Sequence, residues 1–282
     1  MNIKHFPWTL HHPVQVPFDA TMHHARMKSG ESRFNEPAWA LDSARARLSA
    51  AALQRQQHNK TIHAEYYGGP RKDGEEVVND VLFRGALDGL LTRNHYGCLV
   101  LNAAHALFID VDVWAPDQLA AADGAGGGKP MWQLVFDDLR AVLAAEADES
   151  FRIYRTAAGF RVLATANEYD PTSTYSAALM RAAGADYDFV DLCRIQNSFR
   201  ARLSPKPWRC GVRRPPNLFP RHTQGEQCRF AEWLSGYKRA SAHRATCHYL
   251  GAVGPERIHP RVAPVIELHD RQTRAHEALA LA

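Results

Sequence analysis

Cys98-Leu99-Val100-Leu101-Asn102-Ala103-Ala104-His105-Ala106-Leu107-Phe108-Ile109-Asp110-Val111-Asp112 is the stretch on which the fold class turns. Two apolar runs, 98–101 and 106–109, are joined by Asn102-Ala103-Ala104-His105, a pattern that predicts a hairpin of buried strands. The second run passes directly into Asp110-Val111-Asp112. Residues two apart in a strand share a face, so both carboxylates project to the same side. Two carboxylates held this close repel one another unless a cation lies between them. Hard oxygen donors of this kind suit Mg²⁺ or Mn²⁺, which commonly bridges protein carboxylates and substrate phosphates. The plainer alternative is a strand that leaves the core through two solvated aspartates.

Downstream, Ala120 to Pro130 is a Gly-rich, low-complexity insertion. It lacks the Gly-Lys-Ser/Thr ending of a phosphate-binding loop, so it reads as a linker. Trp132 to Glu146 has the periodicity of an amphipathic helix. Phe151-Arg152-Ile153-Tyr154-Arg155 and Phe160-Arg161-Val162-Leu163-Ala164-Thr165 flank a Thr156-Ala157-Ala158-Gly159 turn and predict a second hairpin. Gly159 is expected to supply a positive φ there. Helices are predicted over Tyr175–Ala183, Tyr187–Asn197 and Phe230–Leu250, a last strand over Ala263–Leu268, and a polar helix at the end. Upstream, residues 1–37 form a His- and Pro-rich arm, Trp39–His58 reads as a helix, and Glu75–Thr92 reads as a second one.

The class that follows is α/β (α+β): a mixed, largely antiparallel sheet with hairpins and packed helices. The expected organisation is an arm over 1–37, a helical region over 38–95, a core over 96–225 carrying the insertion, and a C-terminal helical region over 226–282 packed on that core.

Charge is unevenly placed. Arg194, Arg200, Arg202, Lys206, Arg209, Arg213, Arg214 and Arg221 fall in a stretch with no Asp or Glu, although the whole chain carries a net charge of only +4. The same stretch holds Phe199, Trp208, Phe219 and several prolines, a combination suited to gripping an anionic chain. Arg155 and Arg161 flank the small-residue turn, where guanidinium groups can hold phosphate oxygens. Asp191 is a candidate third metal ligand, or simply an acid near a helix start. His269-Asp270 has the make-up of an acid–base pair.

With 45% hydrophobic and 23% charged residues the chain reads as globular. No apolar run approaches the ~20 residues of a membrane span. The start has no signal-peptide pattern, so a cytoplasmic address is expected. Five cysteines with no Cys-x-x-Cys pair read as free thiols; a zinc site from Cys210, Cys228, Cys247 and His248 is the alternative. Gly-x-Ser-x-Gly, His-Glu-x-x-His and Gly-x-Gly-x-x-Gly are missing, which argues against the common hydrolase, zinc-protease and dinucleotide-binding designs.

The order of these features resembles the archaeo-eukaryotic primase–polymerase superfamily. Phe108-Ile109-Asp110-Val111-Asp112 looks like its first motif, Tyr154-Arg155-Thr156-Ala157-Ala158-Gly159-Phe160-Arg161 like its second, and Phe189-Val190-Asp191 like its third. The resemblance covers roughly Cys98 to Arg209. It implies an RRM-like core and a metal-dependent nucleotidyltransferase, with Asp110, Asp112 and Asp191 as catalytic carboxylates and Mg²⁺ or Mn²⁺ held by Asp110 and Asp112. Arg155, Thr156, Gly159 and Arg161 would contact the nucleoside triphosphate. Arg200, Arg202, Lys206, Trp208, Arg209, Arg213 and Arg214 would hold DNA or RNA. The family's second motif usually ends in histidine, where this chain has Arg161. That difference favours a catalytically inactive nucleotide- or nucleic-acid-binding relative as the alternative. A Mn²⁺-dependent nucleotide-sugar glycosyltransferase also uses Asp-x-Asp, and a haloacid-dehalogenase-type phosphatase fits in part.

Overall fold

The computed structural model describes residues 75–113 and 131–282. The predicted arm, the Trp39–His58 helix and the Gly-rich insertion lie outside these residues. The chain builds two four-stranded antiparallel sheets. The first has the order β1 (Glu76–Phe83), β2 (Ala86–Arg93), β3 (Leu99–Ala103), β7 (Phe199–Arg202). The second has the order β4 (Phe108–Asp112), β6 (Gly159–Ala164), β5 (Phe151–Thr156), β9 (Cys247–Val253). A short parallel pair joins β8 (Arg244–Ala245) to β10 (Ala280–Leu281). The expected mixed class with antiparallel sheets and packed helices is the one observed.

The Glu75–Thr92 segment, expected to be helical, is instead the β1–β2 hairpin. Its two-residue turn is Arg84-Gly85, with φ 50 and 82. Two successive positive φ angles give the turn whose twist matches antiparallel strands. The 38–95 region is therefore not helical over 76–93. Strands β3 and β4 do not form the predicted hairpin either. β3 pairs with β2 and β7, β4 pairs with β6, and the buried segment between them carries the chain from one sheet to the other. Its polar backbone is met on the way: Ala104 N donates to Asp88 O at 3.1 Å and Tyr169 N to His105 O at 2.9 Å.

Helix α1 (Met131–Ala144) opens the second described segment, where helical spacing predicts it. β4, α1 and β5 make a split β-α-β unit, with antiparallel β6 filling the gap between the two strands. α2 (Thr174–Ala182) and α3 (Tyr187–Gln196) also lie where helical spacing placed them. Each starts on a side-chain cap: Ser173 accepts from Ser176 N, and Asp186 accepts from Asp188 N. α4 (Gln224–Ser241) opens on a capping box of Thr223 and Glu226 but stops well short of Leu250. The continuation, Cys247–Val253, is strand β9 on the edge of the second sheet, so the C-terminal region completes the core sheet and does not merely pack on it. Ala263–Leu268, expected as a strand, belongs to helix α5 (Ala263–Thr273), with Pro264 in its first turn. Val265, Ile266, His269 and Thr273 are its buried residues, a spacing of three and four that only a helix turns to one side.

The second sheet is covered on both faces. Phe136 of α1 stacks on Phe160 at 5.5 Å, and His269 of α5 meets Phe108 at 5.4 Å and Tyr154 at 4.6 Å on the other side. No described helix is long and apolar enough to cross a membrane.

Gly159 does not adopt a positive φ; it is kept for closeness. A Cβ there would sit 2.1 Å from Val111 O and 2.7 Å from Val113 N, both backbone atoms of the neighbouring strand end. Gly159→Ala is expected to destabilise the protein by about 1–3 kcal/mol through this overpacking, read from urea unfolding midpoints.

Candidate functional site: the carboxylate end of β4 and the basic segment beside it

Strand pairing decides which side chains meet. Asp110 lies opposite Arg161, and Arg161 lies opposite Tyr154, so these three share one face of the second sheet. Asp112 shares it too, opposite Gly159. The two aspartates do project together, as the two-residue period demands.

Their surroundings differ sharply. Arg161 is 1% exposed, and its fork closes on Asp110: Nε donates to Oδ1 at 2.7 Å and Nη2 to Oδ2 at 2.9 Å. Nη1 donates to Arg202 O on β7 at 2.8 Å, tying the two sheets together. Burial alone would push this guanidinium down, yet the neighbouring Asp110 charge outweighs it and the pKa is raised. Asp112, by contrast, is exposed.

Arg155 and Arg161 do not converge. Arg155 pairs with Phe160, which pairs with Val111, so it occupies the opposite face from the aspartates. Its guanidinium lies 5.1 Å from the Trp132 ring and 5.3 Å from that of Phe160. The two arginines cannot grip one triphosphate across the sheet. Thr156 is buried, and its hydroxyl accepts from Ala158 N at 3.4 Å within the turn.

Asp191 sits on the exposed side of α3, 3.9 Å from both Arg181 and Arg194. The additional carboxyl that feels Asp112 is that of Asp186, the α3 cap; burial, together with neighbouring Asp188 and Asp112, raises its pKa. Its signal was the helix-start pattern Asp186-Tyr187-Asp188, which reads in sequence only as a cap. Among the described residues, no three His, Cys, Asp or Glu side chains are grouped so as to hold a metal ion. With both Asp110 oxygens taken by the Arg161 fork, this donor set does not fit a two-cation centre as it stands. The zinc alternative does not form either: all five cysteines are free, Cys247 is buried beside His269, and His248 Nε2 faces Leu279 O.

The basic segment divides in two. Arg200 points inward, 8% exposed, donating to Gln196 Oε1 and to Glu75 Oε1, each at 2.6 Å. Arg202, Lys206 and Arg209 are half-buried, whereas Arg213 and Arg214 are exposed. Burial and the neighbouring Arg202 and Arg209 push the Lys206 ammonium down to about 8, against the pull of Asp112. The exposed carboxylate end of β4 therefore lies within the field of this cationic cluster.

His269-Asp270 proves to be a buried relay of a different kind. His269 Nδ1 lies 3.0 Å from Asp270 Oδ1, and its Nε2 lies 3.9 Å from Cys247 Sγ. Burial pushes the imidazole down to about 4 and the thiol up to about 11, so near neutral pH both are uncharged and sealed from solvent. This Cys-His-Asp line supports the core.

No protein-family model, curated protein or solved structure matches this chain.

The carboxylates should separate in mutagenesis. Asp110→Ala strands a buried guanidinium and is expected to cost about 3–5 kcal/mol in urea unfolding, whereas exposed Asp112→Ala should cost less than about 0.5 kcal/mol. A second expectation concerns acid. The folded pKa of His269, about 4, lies below its ordinary 6.5, so the unfolded chain takes up its proton first as pH falls. Its stabilising contribution is complete above pH 6.5 and is lost as pH falls toward 4. Thermal midpoints measured across that window should drop for wild type and flatten in His269→Gln.

Proposed function

We propose that this chain is a nucleotide- or nucleic-acid-binding protein built on a primase–polymerase-like scaffold, with its anion-binding face formed by the cationic segment from Arg202 to Arg214. One observation carries the reading: Arg161 occupies both oxygens of Asp110, while Lys206 and its neighbours concentrate positive charge beside exposed Asp112. A guanidinium stays protonated at any physiological pH, so Arg161 neutralises Asp110 where a histidine could release it. The carboxylate pair of the resemblance becomes a structural brace at one position and a lone surface acid at the other. The cations remain, and cations beside a rigid, proline-bounded backbone suit phosphates. The split β-α-β unit with its returning hairpin is the feature of the fold that supports reading the core as RRM-like.

The second reading is metal-dependent nucleotidyl transfer with Mg²⁺ or Mn²⁺. It is favoured by Asp112, which stays exposed on the face of Asp110 and is sensed by Asp186. The experiment runs both readings side by side. Fluorescence polarisation with a labelled DNA or RNA strand should show affinity that falls steeply with rising salt, and it should drop by about tenfold or more in Arg213→Glu/Arg214→Glu. Primer extension and de novo synthesis with nucleoside triphosphates and either cation should yield no product. Products that vanish in Asp112→Ala would instead establish transfer, and absence of any salt-sensitive binding would overturn the binding reading.

A further inference from the structure

Trp208 is the one aromatic among the large hydrophobic side chains left exposed in the described residues, at 44%. It does not hang on a loose loop. It sits in a single 3₁₀ turn, Pro207–Cys210, closed at its far end by Gly211 with φ 71. Arg209 N donates to Lys206 O at 2.9 Å, Gly211 N to Trp208 O at 3.3 Å, and Val212 N to Pro207 O at 2.9 Å, so the backbone on either side is fixed. Buried Tyr96 braces the ring edge-on, with centroids 5.0 Å apart at 82°. Tyr96 is held in turn by the Asn94–Cys98 turn, where Asn94 Oδ1 accepts from Tyr96 N and Cys98 N, each at 3.0 Å.

Cations surround this braced ring. Lys206 Nζ lies 5.5 Å from its centroid and Arg214 Cζ 5.7 Å, with Arg214 also 5.0 Å from Tyr96. These distances lie near the outer limit of a cation–π contact, so the ring itself holds the two heads only weakly. No acid occurs between Asp191 and Glu226, and the acid whose charge reaches Lys206, Asp112, lies on another element.

A surface that recognised only a phosphate backbone would need these cations and no ring. A duplex keeps both faces of every internal base covered by its neighbours and offers an exposed indole nothing to stack on. A flat aromatic on a hydrogen-bonded turn, flanked by two cations, fits an unpaired base with a phosphate on each side. We infer that Trp208 is a stacking platform and that the partner is a single-stranded nucleic acid, its base on the indole and its flanking phosphates on Lys206 and Arg214. The inference rests on the binding reading above and narrows it to one class of strand.

The test compares three fluorescein-labelled probes of about 20 nucleotides by polarisation at one salt concentration: a mixed-sequence single strand, its blunt duplex, and an abasic strand with the same phosphate count. Wild type should bind the single strand more tightly than the other two. Trp208→Ala should weaken that binding about 5- to 100-fold and leave the abasic strand unchanged. Trp208→Leu, which keeps an apolar side chain but has no π face, should behave like alanine, and Trp208→Phe should recover most of the affinity. Equal single-strand affinity in wild type and Trp208→Leu overturns the platform, as does an equal loss on the single and abasic strands. Salt-sensitive wild-type binding to all three probes alike removes the platform and leaves the binding reading standing. Binding to none removes both.

Discussion

Arg161 carries a full positive charge into the interior of the molecule, and the fold is arranged around meeting it. An isolated guanidinium at that depth would be prohibitively costly, so each of its three nitrogens donates to a defined acceptor. Two go to Asp110 on the neighbouring strand, and the third goes to the carbonyl of Arg202 in the other sheet. β4, β6 and β7 are thereby fixed relative to one another by one side chain. β7 leads directly into Leu203-Ser204-Pro205-Lys206, so the placement of the basic segment is inherited from this brace. Asp112, two residues beyond Asp110, is held at the mouth of the same face by the same constraint.

Much of the second sheet was legible in the sequence, and the reasons are local. The β5–β6 hairpin has alternating apolar residues on both sides of a small-residue turn, while α1, α2 and α3 show clean helical spacing. What was not legible depended on partners far along the chain. Glu75–Thr92 contains Leu and Ala at intervals a helix would also accept, and only the Arg84-Gly85 turn, with both φ angles positive, commits it to a hairpin. The apolar runs at 98–101 and 106–109 are buried and lead into strands β3 and β4, yet their proximity in sequence concealed that these serve different sheets. α5 was hidden by a short apolar run that strand and helix explain equally well, and tertiary burial of Val265, Ile266 and His269 decides between them.

The candidate site was legible in composition and only partly in geometry. The shared face of Asp110 and Asp112 follows from the strand period alone. The same period separates Arg155 from Arg161, but that requires the register, which a linear reading does not contain. Arg200 and Arg202 alternate along β7 as expected, while the sequence could not show that Arg200 turns inward to Gln196 and Glu75. Glu75 lies far away in the chain, and long-range ion pairs leave no periodic trace.

The cationic cluster beside Asp112 is where stability and function pull in different directions. Burial first, and then the neighbouring Arg202 and Arg209, push the Lys206 ammonium down to about 8, so part of the shift reflects like charges held together against their repulsion. A core built for stability alone gains nothing from that arrangement, since Asp112 offsets only part of it. An anion brought to Lys206 would relieve the repulsion, and the relief would add to the attraction between the two. Under the proposed function, such a site would bind phosphate more strongly than its count of charges implies, because the folded protein has already met the cost of assembling them. The rigid Pro207–Cys210 turn keeps the cluster from relaxing by spreading apart, and it sets Trp208 beside it. Charge compression and a fixed aromatic face therefore arise from one short segment, and both depend on β7 being anchored through Arg161.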